Sequence, residues 1–487
     1  MADYRKINPD FGTMEDLELL IKESQKRGMG LMLDMVFNHT STEHEWFQKA
    51  LAGDKKYQNY YLFRDGSADQ PPTNWQSKFG GSAWEYVPHL KQWYLHLYDV
   101  TQADLNWDNP EVREELKKIL RFWKEKGIRA FRFDVINLVS KPERMEDDSE
   151  GDGRRFYTDG PHIHEYLKEL VCSAGIEDFV TVGEMSSTSL EHCIRYSSPK
   201  EKELSMCFNF HHLKVDYKDG DKWTLAVPDY KKLKELFMQW QLGMQAGGGW
   251  NALFWCNHDQ PRIVSRMGDE GDYWKESAKM LAGMIHLMRG TPYIYQGEEI
   301  GMLNAHYSSI GQYRDVESLN YYQILLGKGR TEEEALRILA ARSRDNGRTP
   351  MQWNSGTYGG FSEAEPWLSL SGAFREEITA EFQKEDPDSI LSFYKMLISL
   401  RKKRSVIAEG TISFLETGND MTLAYERELG SDKIAVFCNL GKEEQTVLIG
   451  KEWIDGKLLL ENYRERQKAP ESEVFAMKPY ELTVLEK

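Results

Sequence analysis

The chain has 487 residues, enough for a large catalytic domain with a smaller companion. Its formal net charge of −16 argues against nucleic acid and anionic membranes as partners. Five scattered cysteines (Cys172, Cys193, Cys207, Cys256, Cys438) without a CxxC pair read as reduced thiols of a cytoplasmic protein. No run is long and apolar enough to span a membrane, and the polar start MADYRKINPDFG is no signal peptide.

Thr13 to Arg27 reads as a helix, with a Thr N-cap, acids at Glu15 and Asp16, and Gly28 as its stop. Gly30 to Phe37 (GLMLDMVF) follows as a buried strand that runs into Asn38, His39 and Thr40. Over residues 41–105, Trp, Tyr, Gly and Pro alternate with charges and helical periodicity is lost, as in a functional insertion. NPEVREELKKILRFWKEKG restores order: Asn109 caps, Pro110 takes the first helical position and Gly127 terminates.

The next stretch, GIRAFRFDVINLVS (Gly127 to Ser140), is an apolar, β-branched and aromatic run interrupted by Arg132 and Asp134. Strand side chains alternate with period two, so these two point the same way. An Asp in such a run is costly unless its charge is compensated, and the guanidinium would hold it ionised. A carboxylate kept ionised is what a nucleophile requires. A buried structural ion pair accounts for the stretch equally well.

Further strands are DFVTVGE to Glu184, LSMCFNF to His211, NALFWCN to His258 and Asp259, and TPYIYQG to Glu298. Apolar strands alternating with helices predict parallel strands buried on both faces. The fold class expected is α/β, a (β/α)8 TIM barrel with its ionisable residues at the strand ends, where barrel active sites lie. An open doubly wound sheet is the alternative, but no GxGxxG-type loop follows a first strand. After Lys402, segments such as TISFLE, MTLAYER and KIAVFCNL predict a compact antiparallel domain. The division expected is a barrel over 1–402, an inserted domain over 41–105, and a β-domain over 403–487.

Asp134, Glu184 and Asp259 thus stand at the ends of three strands, with Asp34, Asn38, His39, Arg132 and His258 around them. Glycoside cleavage needs a protonated acid for the leaving oxygen and an ionised carboxylate to attack or to activate water. Arg132 marks Asp134 as the ionised member. Glu184, in an apolar strand near other carboxylates, is expected to retain its proton. Alone, each carboxylate would read as a salt bridge or a cap; together, in this order, they weaken that reading.

DMVFNHTS (Asp34–Ser41), GIRAFRFDVIN (Gly127–Asn137), TVGEM (Thr181–Met185) and NHDQPR (Asn257–Arg262) resemble the four signature regions of the α-amylase superfamily of glycoside hydrolases. RDNGRTPMQW (Arg344–Trp353) resembles its α-glucosidase branch, and the likeness covers essentially the whole chain. It implies Asp134 as nucleophile, Glu184 as acid/base and Asp259 as transition-state stabiliser, with retention of configuration. His39, Arg132, His258 and Arg344 would line the pocket of the sugar being cleaved. Val135 is similar to branch members that cut α-1,6 or α,α-1,1 links.

EDDSEGDGRRFYTDGP (Glu146–Pro161) and FHHLKVDY (Phe210–Tyr217) resemble the branch that acts on a phosphorylated α,α-1,1-linked disaccharide. Oligo-1,6-glucosidases tend to carry an acid where this chain has His211, His212 and Lys214. The substrate implied is a small sugar phosphate, with Arg154, Arg155, His212 and Lys214 as candidate phosphate ligands. Against this, Arg154 and Arg155 lie among Asp147, Asp148, Glu150 and Asp152, as solvated surface charges would. No cofactor and no metal are expected.

By the same likeness, MADYRKINPDFG matches the segment after the second barrel strand of relatives. On the order of 70 residues, including two strands, would lie upstream, leaving an unpaired sheet edge and a chain expected to fold poorly or work weakly. Two competing readings are an oligo-1,6-glucosidase and a catalytically silent scaffold, like the amylase-like ectodomains of amino-acid transporter heavy chains. Presence of all three carboxylates disfavours the scaffold.

Overall fold

The computed structural model describes residues 1–464 and 472–487. They group into two compact units, residues 1–210 with 246–250, and residues 211–245 with 251–487.

The first unit is carried by four parallel strands, Met32–Met35, Ala130–Phe133, Val180–Glu184 and Met206–Phe208, which lie side by side in chain order. Helices connect them. In the Pro110–Glu125 helix the Asn109 side chain accepts the Glu111 N–H, and Val112, Leu116, Ile119, Leu120 and Trp123 make one buried face. At Thr13 the cap is a reciprocal capping box with Asp16.

The stretch from Gly127 to Ser140 forms a shorter strand than its composition predicts. Pairing stops at Phe133, because Val135 turns left-handed (φ 37°, ψ 40°) and leads into a single 3-10 turn over Ile136–Leu138. Phe131 and Phe133 are fully buried on one face, leaving the other to Arg132. The ladder sets Arg132 against Val182 and Phe133 against Gly183. One further step brings Asp134 alongside Glu184, both at the C-terminal ends of their strands.

Residues 41–105 are less irregular than expected. His39–Ser41 pairs antiparallel with Gln102–Asp104, and Phe63–Asp65, Gln92–Leu95 and Trp84–Val87 form a small antiparallel sheet. Strands of three or four residues are too short to show a period. Trp75, Trp84, Trp93 and Leu95 pack with Val135, Leu138 and Tyr157 in one buried cluster, which ties this segment to the loop after Phe133.

In the second unit, Ala252–Leu253 pairs in parallel with Thr291–Pro292, and the Trp274–His286 helix lies between them in the chain. Pro292, which has no N–H, falls between the two donors of this ladder: the Thr291 N–H donates to Asn251 O at 2.9 Å and the Tyr293 N–H to Leu253 O at 2.7 Å. A five-stranded antiparallel sheet follows, in the order Thr411–Leu415, Thr422–Leu429, Asp432–Asn439, Leu482–Glu486, Lys457–Glu461. Side chains of this C-terminal sheet reach a helix that precedes it in the chain. The Tyr425 hydroxyl donates to Met284 O at 2.7 Å, and Arg427 Nη1 donates to Leu287 O at 2.7 Å, so it is bound to the 274–286 helix. Sheet and helix belong to one compact unit, residues 211–245 with 251–487. Among the described residues, no helix is long and apolar enough to cross a membrane.

Candidate active site

Arg132 organises a cluster in the first unit. Its Nη1 contacts Asp34 Oδ2; its Nη2 lies 3.1 Å from Asp134 Oδ1 and also contacts Glu184 Oε2. Burial would lower the arginine's pKa, but Asp34 and Asp134 outweigh it and hold the guanidinium charged. Strand register places Asp134 and Glu184 against the same guanidinium nitrogen.

His39 is buried; its Nε2 stands 2.9 Å from Gln102 Nε2 and its ring lies 5.5 Å from that of Tyr98. Burial pushes its pKa down to about 4, so it is a neutral imidazole at pH 7. The neighbouring Asn38 belongs to a buried network that sequence reasoning missed. Lys141 Nζ donates to Asp104 Oδ2 at 2.7 Å and to Asn38 Oδ1 at 2.9 Å. Asp104 also accepts from Asn38 Nδ2 at 3.1 Å and from the Leu97 N–H at 3.0 Å, which satisfies the buried charges. A lysine one residue after GIRAFRFDVINLVS looks like a surface residue until the chain is folded.

In the second unit, three side chains converge on Asp259. Arg348 Nη2 donates to Oδ1 at 2.8 Å, Arg344 Nη1 lies 3.3 Å from that oxygen, and His258 Nε2 is 3.4 Å from Oδ2. Burial would raise the carboxyl's pKa, but His258, Arg344, Arg348 and Lys222 outweigh it and hold it below the usual carboxylate range. Arg348 Nε donates to His258 O at 2.8 Å, so one guanidinium fixes both members of the His–Asp pair. Arg344 is anchored in turn on Asp315 (Nη2 to Oδ1, 2.6 Å) and Glu317 (Nε to Oε2, 3.3 Å), and Lys222 Nζ donates to Glu317 Oε2 at 2.7 Å. Sequence reasoning missed Arg348, Asp315, Glu317 and Lys222. Arg348 was within reach of it: it lies four residues after Arg344 in RDNGRTPMQW, one helical turn away.

The candidate phosphate ligands differ in their surroundings. Arg154 Nη2 donates to Asp152 Oδ2 at 2.9 Å, while Arg155 reaches Asp148 (3.0 Å) and Glu150 (3.2 Å). The acids of their own loop thus neutralise both. His212 is a core residue: it is buried, its Nε2 is 2.9 Å from Phe254 O, and its ring lies against Phe237, Phe254 and Trp255. Burial pushes its pKa down to about 4, so it is uncharged at pH 7, unlike a phosphate-binding histidinium. The 3-10 turn His211–Lys214 turns His212 inward and leaves Lys214 exposed.

Among the described residues, no group of three or more His, Cys, Asp or Glu side chains is placed to hold a metal ion. The α-amylase catalytic-domain model matches residues 1–410. The chain belongs to the α-amylase family. Within that family it is 50% identical over 482 residues to the trehalose-6-phosphate hydrolase of Escherichia coli K12, covering 99% of this chain and 87% of the relative. It is 41% identical over 496 residues to an oligo-1,6-glucosidase of Bacillus cereus, covering 99% and 88%. The crystal structure of Bacillus licheniformis trehalose-6-phosphate hydrolase superposes with a TM-score of 0.94 at 50% identity, covering 100% of this chain and 88% of that one. For this α-amylase-family chain, the likeness to those hydrolases exceeds that to the oligo-1,6-glucosidase by 9 percentage points, 50 minus 41, over nearly the same residues.

Proposed function

We propose that this α-amylase-family protein hydrolyses trehalose 6-phosphate to glucose and glucose 6-phosphate in the cytoplasm, with retention of anomeric configuration. The observation that carries the chemistry is the meeting of Asp134 and Glu184 on one nitrogen, Arg132 Nη2. Two oxygens on a common donor lie within two hydrogen-bond lengths, at most ~6 Å apart. An inverting pair needs ~6.5–9.5 Å to admit a water, so the arrangement favours a retaining enzyme.

In this reading the Asp134 carboxylate attacks the anomeric carbon as Glu184 protonates the departing glycosidic oxygen. A glycosyl ester on Asp134 results. Glu184, now a carboxylate, takes a proton from the water that cleaves the ester. Asp259, kept ionised by Arg344 and Arg348, is suited to gripping sugar hydroxyls as charge develops. The architecture that goes with it is a (β/α)8 barrel carrying residues 41–105 as an inserted domain and 403–487 as a β-domain. For the phosphate, Lys214 is the candidate whose exposed position suits a ligand, and Arg154 and Arg155 would have to exchange their acids for it.

The greater likeness to trehalose-6-phosphate hydrolases supports the choice of substrate, whereas the acid pairing of Arg154 and Arg155 favours a neutral isomaltose-type substrate. Initial rates on trehalose 6-phosphate, trehalose and isomaltose separate the two. A preference for isomaltose would end the phosphate reading. Asp134→Asn should abolish turnover on all three; surviving activity would mean another nucleophile.

A further inference from the structure

Asn137, three residues after Asp134, is fully buried. Its side-chain amide pairs with the backbone of Ser186, two residues after Glu184. Nδ2 donates to Ser186 O at 2.9 Å, and Oδ1 accepts the Ser186 N–H at 2.9 Å. Nδ2 also donates to Asp159 Oδ1 at 3.0 Å, and the Asp159 N–H returns a bond to Asn137 O at 3.0 Å. Asp159 further accepts from the hydroxyls of Tyr196 (2.7 Å) and Thr188 (2.9 Å). One amide thus joins the loop after Asp134, the loop after Glu184 and the segment that carries Arg154 and Arg155.

Both joined loops hold unfavourable backbone. Val135 has φ 37° and Ser187 has φ 56°, neither of them glycine. Such conformations persist only where the surroundings over-determine them. Arg132 contacts both carboxylates, and Asp134 is held besides by its own N–H, which donates to Met35 O at 3.1 Å. Glu184 is the last residue of its strand. Beyond it the chain is held by Met185 N–H to Phe208 O at 3.1 Å and then by Asn137 and Asp159.

We propose that Asn137 is a positioning residue that sets the proton-donating Glu184 relative to Asp134, an inference that rests on the glycosidase reading above. Its loss should weaken acid assistance more than nucleophilic attack. Acid assistance matters for a sugar leaving group and little for an activated phenolate, which departs without a proton.

The test compares kcat/KM for trehalose 6-phosphate and for 2,4-dinitrophenyl α-glucoside in the wild type and in Asn137→Ala. Trehalose 6-phosphate should lose roughly 100-fold and the dinitrophenyl glycoside less than about fivefold, with the alkaline limb of the pH profile displaced. Asn137→Ala strands a buried N–H and C=O and can unfold the chain. A second pair therefore carries the same test. Asn137→Asp sets a carboxylate against both Asp159 and Ser186 O, and adding Asp159→Asn mends the first contact while leaving the second unmade. The double variant should recover at least about tenfold of the lost trehalose 6-phosphate activity, the scale of one restored hydrogen bond. Equal losses on both substrates in a cooperatively melting variant, or no loss on either, would overturn the proposal. A wild type inert on both would instead overturn the glycosidase reading beneath it.

Discussion

Arg348 donates a 2.8 Å hydrogen bond from Nη2 to Oδ1 of Asp259. The same guanidinium holds the His258 carbonyl through Nε. A lysine has one point charge and no fork, so it cannot hold both acceptors in this geometry. Arg348→Lys should lose one charge-assisted bond, worth about 1.5–3 kcal/mol, which corresponds to roughly 10–100-fold in kcat/KM. Steady-state kinetics on trehalose 6-phosphate measure it. An unchanged kcat/KM would show that Arg344 alone orients Asp259.

Lys141 and Asp104 form a pair with almost no exposed side-chain surface. Removing one partner leaves a buried charge uncompensated, which typically costs ~3–5 kcal/mol, whereas removing both can be nearly neutral. Lys141→Met should therefore destabilise strongly, and Lys141→Met with Asp104→Asn, which removes both charges but keeps an acceptor beside Asn38 and the Leu97 N–H, should recover part of the loss. Urea unfolding followed by tryptophan fluorescence reads both. Equal stability of the single variant and wild type would mean that the pair contributes nothing.

The pH dependence of stability has a sign that the buried histidines set. Burial depresses His39, His212 and His286 from 6.5 to about 4 in the folded chain. Between those values the unfolded chain binds protons that the folded chain refuses, so stability falls as the pH drops from 6.5 toward 4. Below 3.8, protonation of Asp259 removes further stability, because its folded-state pKa is depressed. Urea midpoints should decline steadily between pH 7 and pH 4.5. In His212→Phe that slope should be shallower by one proton's share, and a slope identical to wild type would remove His212 from the account.

Glu298 acts in the opposite direction. Burial pushes its pKa up to about 7, and although Oε1 accepts from the Tyr394 hydroxyl at 2.8 Å, the folded chain favours the protonated carboxyl. The folded chain therefore binds the extra proton between pH 4.5 and 7, and stability is lost as the pH rises through that range. Glu298→Gln keeps the shape and removes the ionisation. Its melting temperature relative to wild type should be higher at pH 8.5 than at pH 5.5; a pH-independent difference would contradict the buried charge.

What the sequence determined by itself is local and periodic. The alternation in GIRAFRFDVIN was enough to put Arg132 and Asp134 on one side, and the Thr13 and Asn109 caps were legible from single residues. The strand–helix alternation marked where parallel strands would end, and hence which carboxylates stand at those ends. Tertiary structure decided the partners. Glu184 meets Arg132 only because Phe133 pairs with Gly183, Lys141 meets Asp104 from 37 residues away, and Asp259 is held by an arginine 89 residues away. His212 looked like a basic ligand and became core when its 3-10 turn faced it toward Phe254. Periodicity says which face a side chain occupies. Register and packing between distant segments say which charge it meets, and no short-range pattern encodes them.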